Sequence, residues 1–278
     1  MLTLGEVLRR TAAYLAERGS SSPRLDADLL LGEALKMDRM RLYLEHDRPL
    51  TEPELAAARA LVARRAKREP MAYILGRRGF RGLELAVGPD VLVPRPDTET
   101  LVEWAVEVAP HGAEVLDWGT GSGAIALALA DERPDLGVVA VDVSPRAVAV
   151  AASNATANGL TVTVLESDGF AAVAGRRFGL VAANPPYLSD AELAAAEPEL
   201  AFEPRGALTS GPVGDEAIAR LAAEAPDHLA PGGWLLCEIG AGQAARAVEL
   251  FRAAGLVDVG TRRDLAGIER VVGGRTPD

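Results

Sequence analysis

From Ala113 onward the chain repeats one rhythm: a short apolar run, a loop, then a helical stretch rich in alanine. The apolar runs are AEVLDW, GVVAVDV, TVTVLES, FGLVAANP and GGWLLCEIG. Runs this short, separated by helix-length crossovers, pair as parallel strands with helices covering both faces. The last two runs, LVDVG and ERVVGG, have no full helix between them. A parallel return needs a longer crossover, so the chain is expected to end in an antiparallel hairpin. The expected fold class is therefore α/β.

The segments before Ala113 read differently. Leu4, Val7, Leu8 and Leu15, then Leu25, Leu29, Leu30, Leu31 and Leu35, recur at helical spacing. GSSSP (19–23) holds a C-cap glycine and N-cap serines, and Pro53 fits the first turn of a further helix. Between 70 and 97, glycines and prolines punctuate the short apolar pieces LELAV and VLV, which predicts a hairpin and a linker. The expected organisation is a helical bundle over 1–75, a β-hairpin linker over 76–97 and an α/β domain over 98–278.

Composition excludes several classes. No apolar run approaches the ~20 residues that span a bilayer, and the N-terminus lacks the apolar core and cleavage site of a signal peptide. A single cysteine, Cys237, excludes an internal disulfide and a multi-cysteine metal site, and a cytoplasmic protein without metal is expected. The formal net charge of −11 argues against a grip on long nucleic acid. The basic runs ARRAKRE (63–69) and GRRGFRG (76–82) read first as solvated faces.

The first strand of the α/β part runs into LDWGTGSGAIALALA. Gly119, Gly121 and Gly123 let the backbone turn sharply and approach a ligand where a Cβ would collide. Thr120 and Ser122 lie between them, and the next helix offers free N–H groups. Asp142 ends the second strand, about 20 residues on, where a carboxylate meets ribose hydroxyls. Its other reading is a cap for the helix begun by Ser144 and Pro145. In ESDGF, Asp168 can accept from an exocyclic amine, and Phe170 either packs on an adenine or plugs the loop from below. These features make a nucleoside pocket that suits NAD or S-adenosylmethionine.

The segment after the fourth strand separates the two. In AANPPY, Pro185 and Pro186 have no N–H and hold φ near −65°. Asn184, preceding a proline, is restricted to extended backbone. The Asn184 amide oxygen and the Pro185 carbonyl then form two fixed acceptors, matched to one NH₂ group with two protons. Tyr187 can lie flat against the planar group that bears it. This suits methyl transfer to a poorly nucleophilic planar nitrogen; hydride transfer has no use for it. His46, His111 and His228 fall outside these loops and have no partner motif.

With these residues in order, the chain resembles the release-factor glutamine N5-methyltransferases, the HemK/PrmC family. The resemblance runs through REPMAYILG (68–76), FRGLEL (80–85), VLVPRPDTETLVE (91–103), LDWGTGSG (116–123), VDVSPRAV (141–148), NPPY, FEPRGAL (202–208), GGWLLCEIG (232–240) and RDLAGIERVV (263–272). NPPY alone is shared with adenine and other amine methyltransferases; its combination with PRPDTE and DLAGIERVV is specific. The resemblance implies a Rossmann-like class I methyltransferase domain with a seven-stranded sheet, its last strand antiparallel, behind a small N-terminal helical domain that docks the substrate protein. It implies S-adenosyl-L-methionine as cofactor, held by Gly119, Thr120, Gly121, Ser122, Gly123, Asp142, Phe170 and Asn184. It implies the Gly-Gly-Gln glutamine of class I peptide chain release factors as substrate, clamped by Asn184, Pro185, Pro186 and Tyr187, with Asn184, Pro185 and Tyr187 catalytic. A monomer with no membrane partner and no nucleic-acid substrate is expected. The competing readings are an N-methyltransferase acting on nucleic-acid adenine, and a binding module without turnover. Two departures from the family pattern stand out. Trp118 replaces a smaller apolar residue before the glycines, and Ser122 replaces a common threonine.

Overall fold

The computed structural model describes residues 2–278. They form two compact units, one ending at Gly76 and the other running from Arg77 to Asp278.

The first unit is helical: α1 (Leu4–Glu17), α2 (Pro23–Leu35), α3 (Arg39–Leu44), α4 (Glu52–Arg65) and α5 (Met71–Leu75). Local signals set the ends. Thr3 and Glu6 form a capping box on α1, Thr51 and Glu54 form another on α4, and Pro23 opens α2 in its first turn. Leu4, Leu8, Leu31, Leu42 and Leu50 share one buried cluster. Leu25, one of the periodic leucines, lies outside on the surface.

The basic stretch 63–69 is largely spent inside this unit. Arg65 is buried against Asp26, with Nε 2.7 Å from Oδ2. Arg64 pairs with Glu69 and donates to the Tyr73 carbonyl, and Arg68 donates to the Gly19 carbonyl. Lys67 is its exposed cation.

The second unit begins with a hairpin, β1 (Arg77–Phe80) and β2 (Leu83–Ala86), then a 3₁₀ turn at Pro96–Thr98 that leads into α6 (Glu99–Val108). The alternation then runs through β3 (Glu114–Trp118), α7 (Ala124–Glu132), β4 (Gly137–Asp142), α8 (Pro145–Ala157), β5 (Thr163–Glu166) and β6 (Phe178–Ala183). A short excursion, β7 (Leu188–Ser189), α9 (Asp190–Ala195) and β8 (Thr209–Gly211), precedes α10 (Glu216–Glu224). The chain closes with β9 (Leu229–Glu238), α11 (Ala244–Ala253), β10 (Val257–Arg263) and β11 (Glu269–Arg275).

The main sheet has seven strands in the order β10-β11-β9-β6-β3-β4-β5. β9, β6, β3, β4 and β5 are parallel, and β11 runs antiparallel between β9 and β10. The expected antiparallel final hairpin is present. Strand order reverses between β3 and β6, the switch point where open α/β sheets bind ligands beyond the strands' carboxyl ends.

The core has two faces because strand side chains alternate. Val115, Leu180, Leu236 and Val271 pack under α6 and α7 with Trp104 and Leu127. Leu116, Val181, Leu235 and Val272 pack on the other side with Phe178, Leu221 and Phe251. β6 is buried along its whole length.

Trp104 packs closely over β11 at Gly273. A Cβ at Gly273 would stand 2.6 Å from the Trp104 ring and 2.7 Å from Leu236. Gly273→Ala is expected to overpack this face and lower the unfolding free energy by about 1–3 kcal/mol. Urea unfolding checks it; unchanged stability would show that the Trp104 face yields freely.

Candidate active site

The carboxyl ends of β3, β4 and β6 open onto a cavity of about 300 Å³. Gly119, Thr120, Gly121 and Ser122 line it from one side, Asp142 and Ser144 from another, and Asn184, Pro185 and Pro186 from a third. Gly123 is not part of the lining, and a Cβ there would stand 3.1 Å from Leu127 and 3.4 Å from Ala151.

The glycine loop is built for close approach. Gly119 and Gly121 have φ of +75° and +57°, and a Cβ on either would extend into open space. That space is available to a ligand only because the side chains are absent. At the end of β4, the Asp142 carboxylate accepts from Gly121 N–H (2.8 Å) and Ser144 N–H (2.9 Å). Asp142 thus braces the turn into α8, whose N-cap is Ser144, and also lines the cavity. Two carboxylate oxygens have about four acceptor positions, so a diol can still be received. The cradle and the carboxylate together fit a nucleoside with free ribose hydroxyls, as S-adenosylmethionine has.

Three buried polar side chains hold this geometry, none of them singled out from the sequence. Asp117 Oδ2 accepts from the Thr120 hydroxyl (2.6 Å) and from Ala126 N–H (3.0 Å), while Oδ1 has no partner. Asn154 of α8 donates to the Ser122 carbonyl (2.8 Å) and exchanges two hydrogen bonds with Ala86. Glu203 accepts from Val93 N–H (2.9 Å) and Arg95 Nη2 (2.5 Å), drawing FEPRGAL against VLVPRP at the cavity mouth. Asp117 had a visible signal, an acid in an apolar strand directly before the glycines. Asn154 and Glu203 had none, since their partners lie 68 and 110 residues away.

Two of the expected ligand-contact residues do not line the cavity. Phe170 does not line the cavity. It is buried, its ring stacks on His228 with centroids 4.4 Å apart, and it tilts against Trp118 at 6.5 Å. It packs into the buried cluster on that face of the sheet, with His228 stacked on it. The aromatic on the cavity wall is Trp118. Tyr187 is likewise turned inward. Its hydroxyl lies 3.5 Å from Glu238 Oε1, and its carbonyl accepts from Gln243 Nε2 (2.9 Å). Burial, then the nearby Glu238, pushes its phenol up to about 12. Asp168 lines the cavity but is paired with Arg220 (2.6 Å).

Asn184 donates through Nδ2 to Thr98 Oγ1 (3.2 Å), so its Oδ1 is the end left for other partners. Among the described residues nothing donates to the Pro185 carbonyl. Burial raises the Cys237 thiol far above its usual range, which removes it as a nucleophile at neutral pH.

The loop brace titrates. Burial, opposed by its hydrogen bonds, raises Asp117 to about 7. A raised carboxyl binds its proton more tightly in the folded chain, so its contribution to stability is full below the unfolded value near 3.8 and is lost as pH rises to about 7. Asp117→Asn keeps the oxygen that takes both hydrogen bonds. It is expected to be more stable than the parent at pH 8, on the order of 1–4 kcal/mol, with the difference closing toward pH 4. Thermal melts across pH test this; a constant difference would contradict the assignment.

The chain's similarities agree with this geometry. Residues 6–76 match the PrmC N-terminal domain family, and residues 96–211 match the methyltransferase small domain family. The release factor glutamine methyltransferase of Geobacter sulfurreducens is 48% identical over 274 residues, covering 98% of this chain and 96% of that protein. That of Xylella fastidiosa strain Temecula1 is 46% identical over 268 residues, covering 95% and 98%. A methyltransferase crystal structure from Pyrococcus furiosus shares the fold at 19% identity, with a TM-score of 0.55 over 71% of this chain and 90% of that one. Full-length identity at this level, together with both domain matches, places the chain in the family of release factor glutamine methyltransferases.

Proposed function

We propose that this chain methylates the side-chain amide nitrogen (N5) of the glutamine in the Gly-Gly-Gln motif of class I peptide chain release factors. The observation that carries this is the pair of acceptors at the end of β6, Asn184 Oδ1 and the Pro185 carbonyl, on the same cavity as the glycine loop and Asp142. A primary amide nitrogen has two protons and a lone pair delocalised into its carbonyl. Two acceptors on those protons fix its orientation and enrich the nitrogen.

S-adenosylmethionine, when bound, supplies a methyl group already activated by the positive charge on its sulfur. Gly119 to Ser122 and Asp142 would hold its amino-acid and ribose portions. Asn184 and Pro185 would hold the amide, with Pro186 stiffening the corner and Tyr187 supporting it from beneath. Orienting two reactants in this way supplies ~7–11 kcal/mol in favourable systems, so no nucleophile or metal is required of the chain. The same reading makes the enzyme a cytoplasmic monomer that acts on protein. No described helix is long and apolar enough to cross a membrane.

Incubating the chain with labelled cofactor and intact release factor, followed by peptide mass spectrometry, tests the assignment. One methyl group on the Gly-Gly-Gln glutamine is expected. A methyl elsewhere, or on nucleic acid instead, contradicts it. Asn184→Ala should lower single-turnover methylation by about 10²–10³-fold, the scale of removing one aligned polar group at a reacting centre, with a smaller loss of cofactor affinity.

The helical unit ending at Gly76 is proposed to dock the body of the release factor. With Arg64, Arg65 and Arg68 committed internally, the docking face would depend on exposed side chains such as Met40, Leu44 and Lys67. Removing 1–76 should raise KM for intact release factor far more than for a short Gly-Gly-Gln peptide; equal effects would refute the docking role.

A further inference from the structure

The cavity uses the carboxyl ends of β3, β4 and β6, yet the antiparallel pair β10 and β11 also reaches that edge of the sheet. β11 runs opposite to β9, so its first residue, Glu269, stands near the carboxyl end of β9. The turn that joins β10 to β11, residues 264–268, therefore projects from the edge that carries Asn184. Only β9 separates β11 from β6. Neighbouring strands lie about 4.8 Å apart, which puts the turn on the order of 10 Å to the side of the acceptors.

The turn is held firmly. Asp264 is buried, and its Oδ1 accepts from Ala266 N–H (2.9 Å) and Ile268 N–H (3.0 Å). Its backbone N–H donates to the Ile268 carbonyl (2.9 Å), and its carbonyl accepts from Gly267 N–H (2.9 Å). Asp264 Oδ2 pairs with Arg270 (3.1 Å), which also reaches Asp97 at 3.4 Å. Asp97 directly precedes Thr98, the partner of Asn184. From this fixed frame Leu265 and Ile268 point outward, and Leu265 is fully exposed.

Other apolar side chains gather on the same edge. Exposed Val143 follows Asp142 and lines the cavity. Exposed Val213 adjoins Gly214, whose carbonyl accepts from the same Gln243 Nε2 as the Tyr187 carbonyl (3.3 and 2.9 Å). Phe202 adjoins Glu203 at the mouth. Among the described residues, the second unit exposes six large apolar side chains, and five of them stand here; Val257, at the start of β10, is at the opposite edge. Single exposed apolar residues are ordinary, but such a concentration marks an interaction surface. Phe202, Val213, Leu265 and Ile268 do not line the cavity, so a cofactor inside it leaves them uncovered. A glutamine side chain extends only about 5 Å from its Cα. The backbone of any protein that delivers one to Asn184 must therefore cross this edge.

We propose that this apolar rim, with Leu265 at its tip, docks an apolar surface beside the Gly-Gly-Gln loop of the release factor. The inference rests on the glutamine methyltransferase function proposed for the site and names a surface that its substrate protein covers. The rim contributes affinity for the whole protein and leaves the chemistry at Asn184 and Pro185 unchanged. A short peptide spanning only the loop does not reach the turn and gains nothing from it.

Calorimetry of intact release factor binding to the full chain saturated with S-adenosylhomocysteine tests this. Leu265→Ser should raise Kd by about 10-fold, the scale of one leucine side chain left uncovered. The Leu265→Ser/Val213→Ser double variant should raise it further, and Leu265→Met, which conserves apolar volume, should bind as the parent does. Both positions are exposed, so melting temperature and S-adenosylhomocysteine affinity should stay at parent values. In methylation assays Leu265→Ser should raise KM for intact release factor, with kcat and the rate on a short Gly-Gly-Gln peptide unchanged. An unchanged Kd in the double variant, or equal losses on peptide and intact protein, would overturn the inference. So would a parent chain that does not bind release factor, or a double variant that loses only self-association in sedimentation, which would give the rim to a second copy of the chain. A parent that binds release factor but adds no methyl to its glutamine, read by mass spectrometry, would fail the proposed function, and the Kd series would still decide the rim.

Discussion

A strand that ends in two prolines cannot pair further, and here that limitation makes the site. β6 is buried throughout, then meets Pro185 and Pro186, which have no N–H to continue the ladder. The carbonyl of Pro185 is released from the sheet with a fixed direction. Asn184, held extended by the proline after it, stands beside it. The site is thus largely backbone, anchored to the most buried strand of the sheet. On the proposed function, capturing an amide there would cost little further conformational freedom.

The polar side chains that matter most lie one layer back from the cavity. Asp117 braces the glycine loop from β3, Asn154 ties that loop to the hairpin, and Glu203 joins the two segments at the mouth. Thr98 lies against Asn184, and the buried Glu238 lies against Tyr187. Buried polar groups are costly unless bonded, and a satisfied network is correspondingly rigid. Asp117 and Glu238 each keep one carboxylate oxygen without a partner and each is raised to about 7. Asp117 stands behind the glycine cradle and Glu238 behind Tyr187.

Much of this was legible in the sequence because the signals are local. Strand–loop–helix alternation fixed the sheet class, the missing crossover after LVDVG predicted the antiparallel β11, and the glycines, Asp142 and NPPY fell at carboxyl ends of strands by topology alone. The placement of Phe170 and Tyr187 was open in the sequence for one reason. An aromatic in a ligand loop can face the ligand or the core, and only packing decides. Phe170 found His228 and Tyr187 found Glu238. Asn154, Glu203 and Thr98 were invisible because each acts on a partner far away in sequence. The basic run 63–69 misled similarly, since its arginines turned out to hold helices together.

The proposed chemistry requires a flat nitrogen held by two immobile oxygens. A crystal structure of the chain with S-adenosylhomocysteine and a Gly-Gly-Gln peptide measures this directly. The glutamine nitrogen should lie about 3 Å from both Asn184 Oδ1 and the Pro185 carbonyl, with its lone-pair face toward the sulfur. A glutamine amide that enters with its oxygen toward Asn184, or that contacts neither acceptor, would contradict the account.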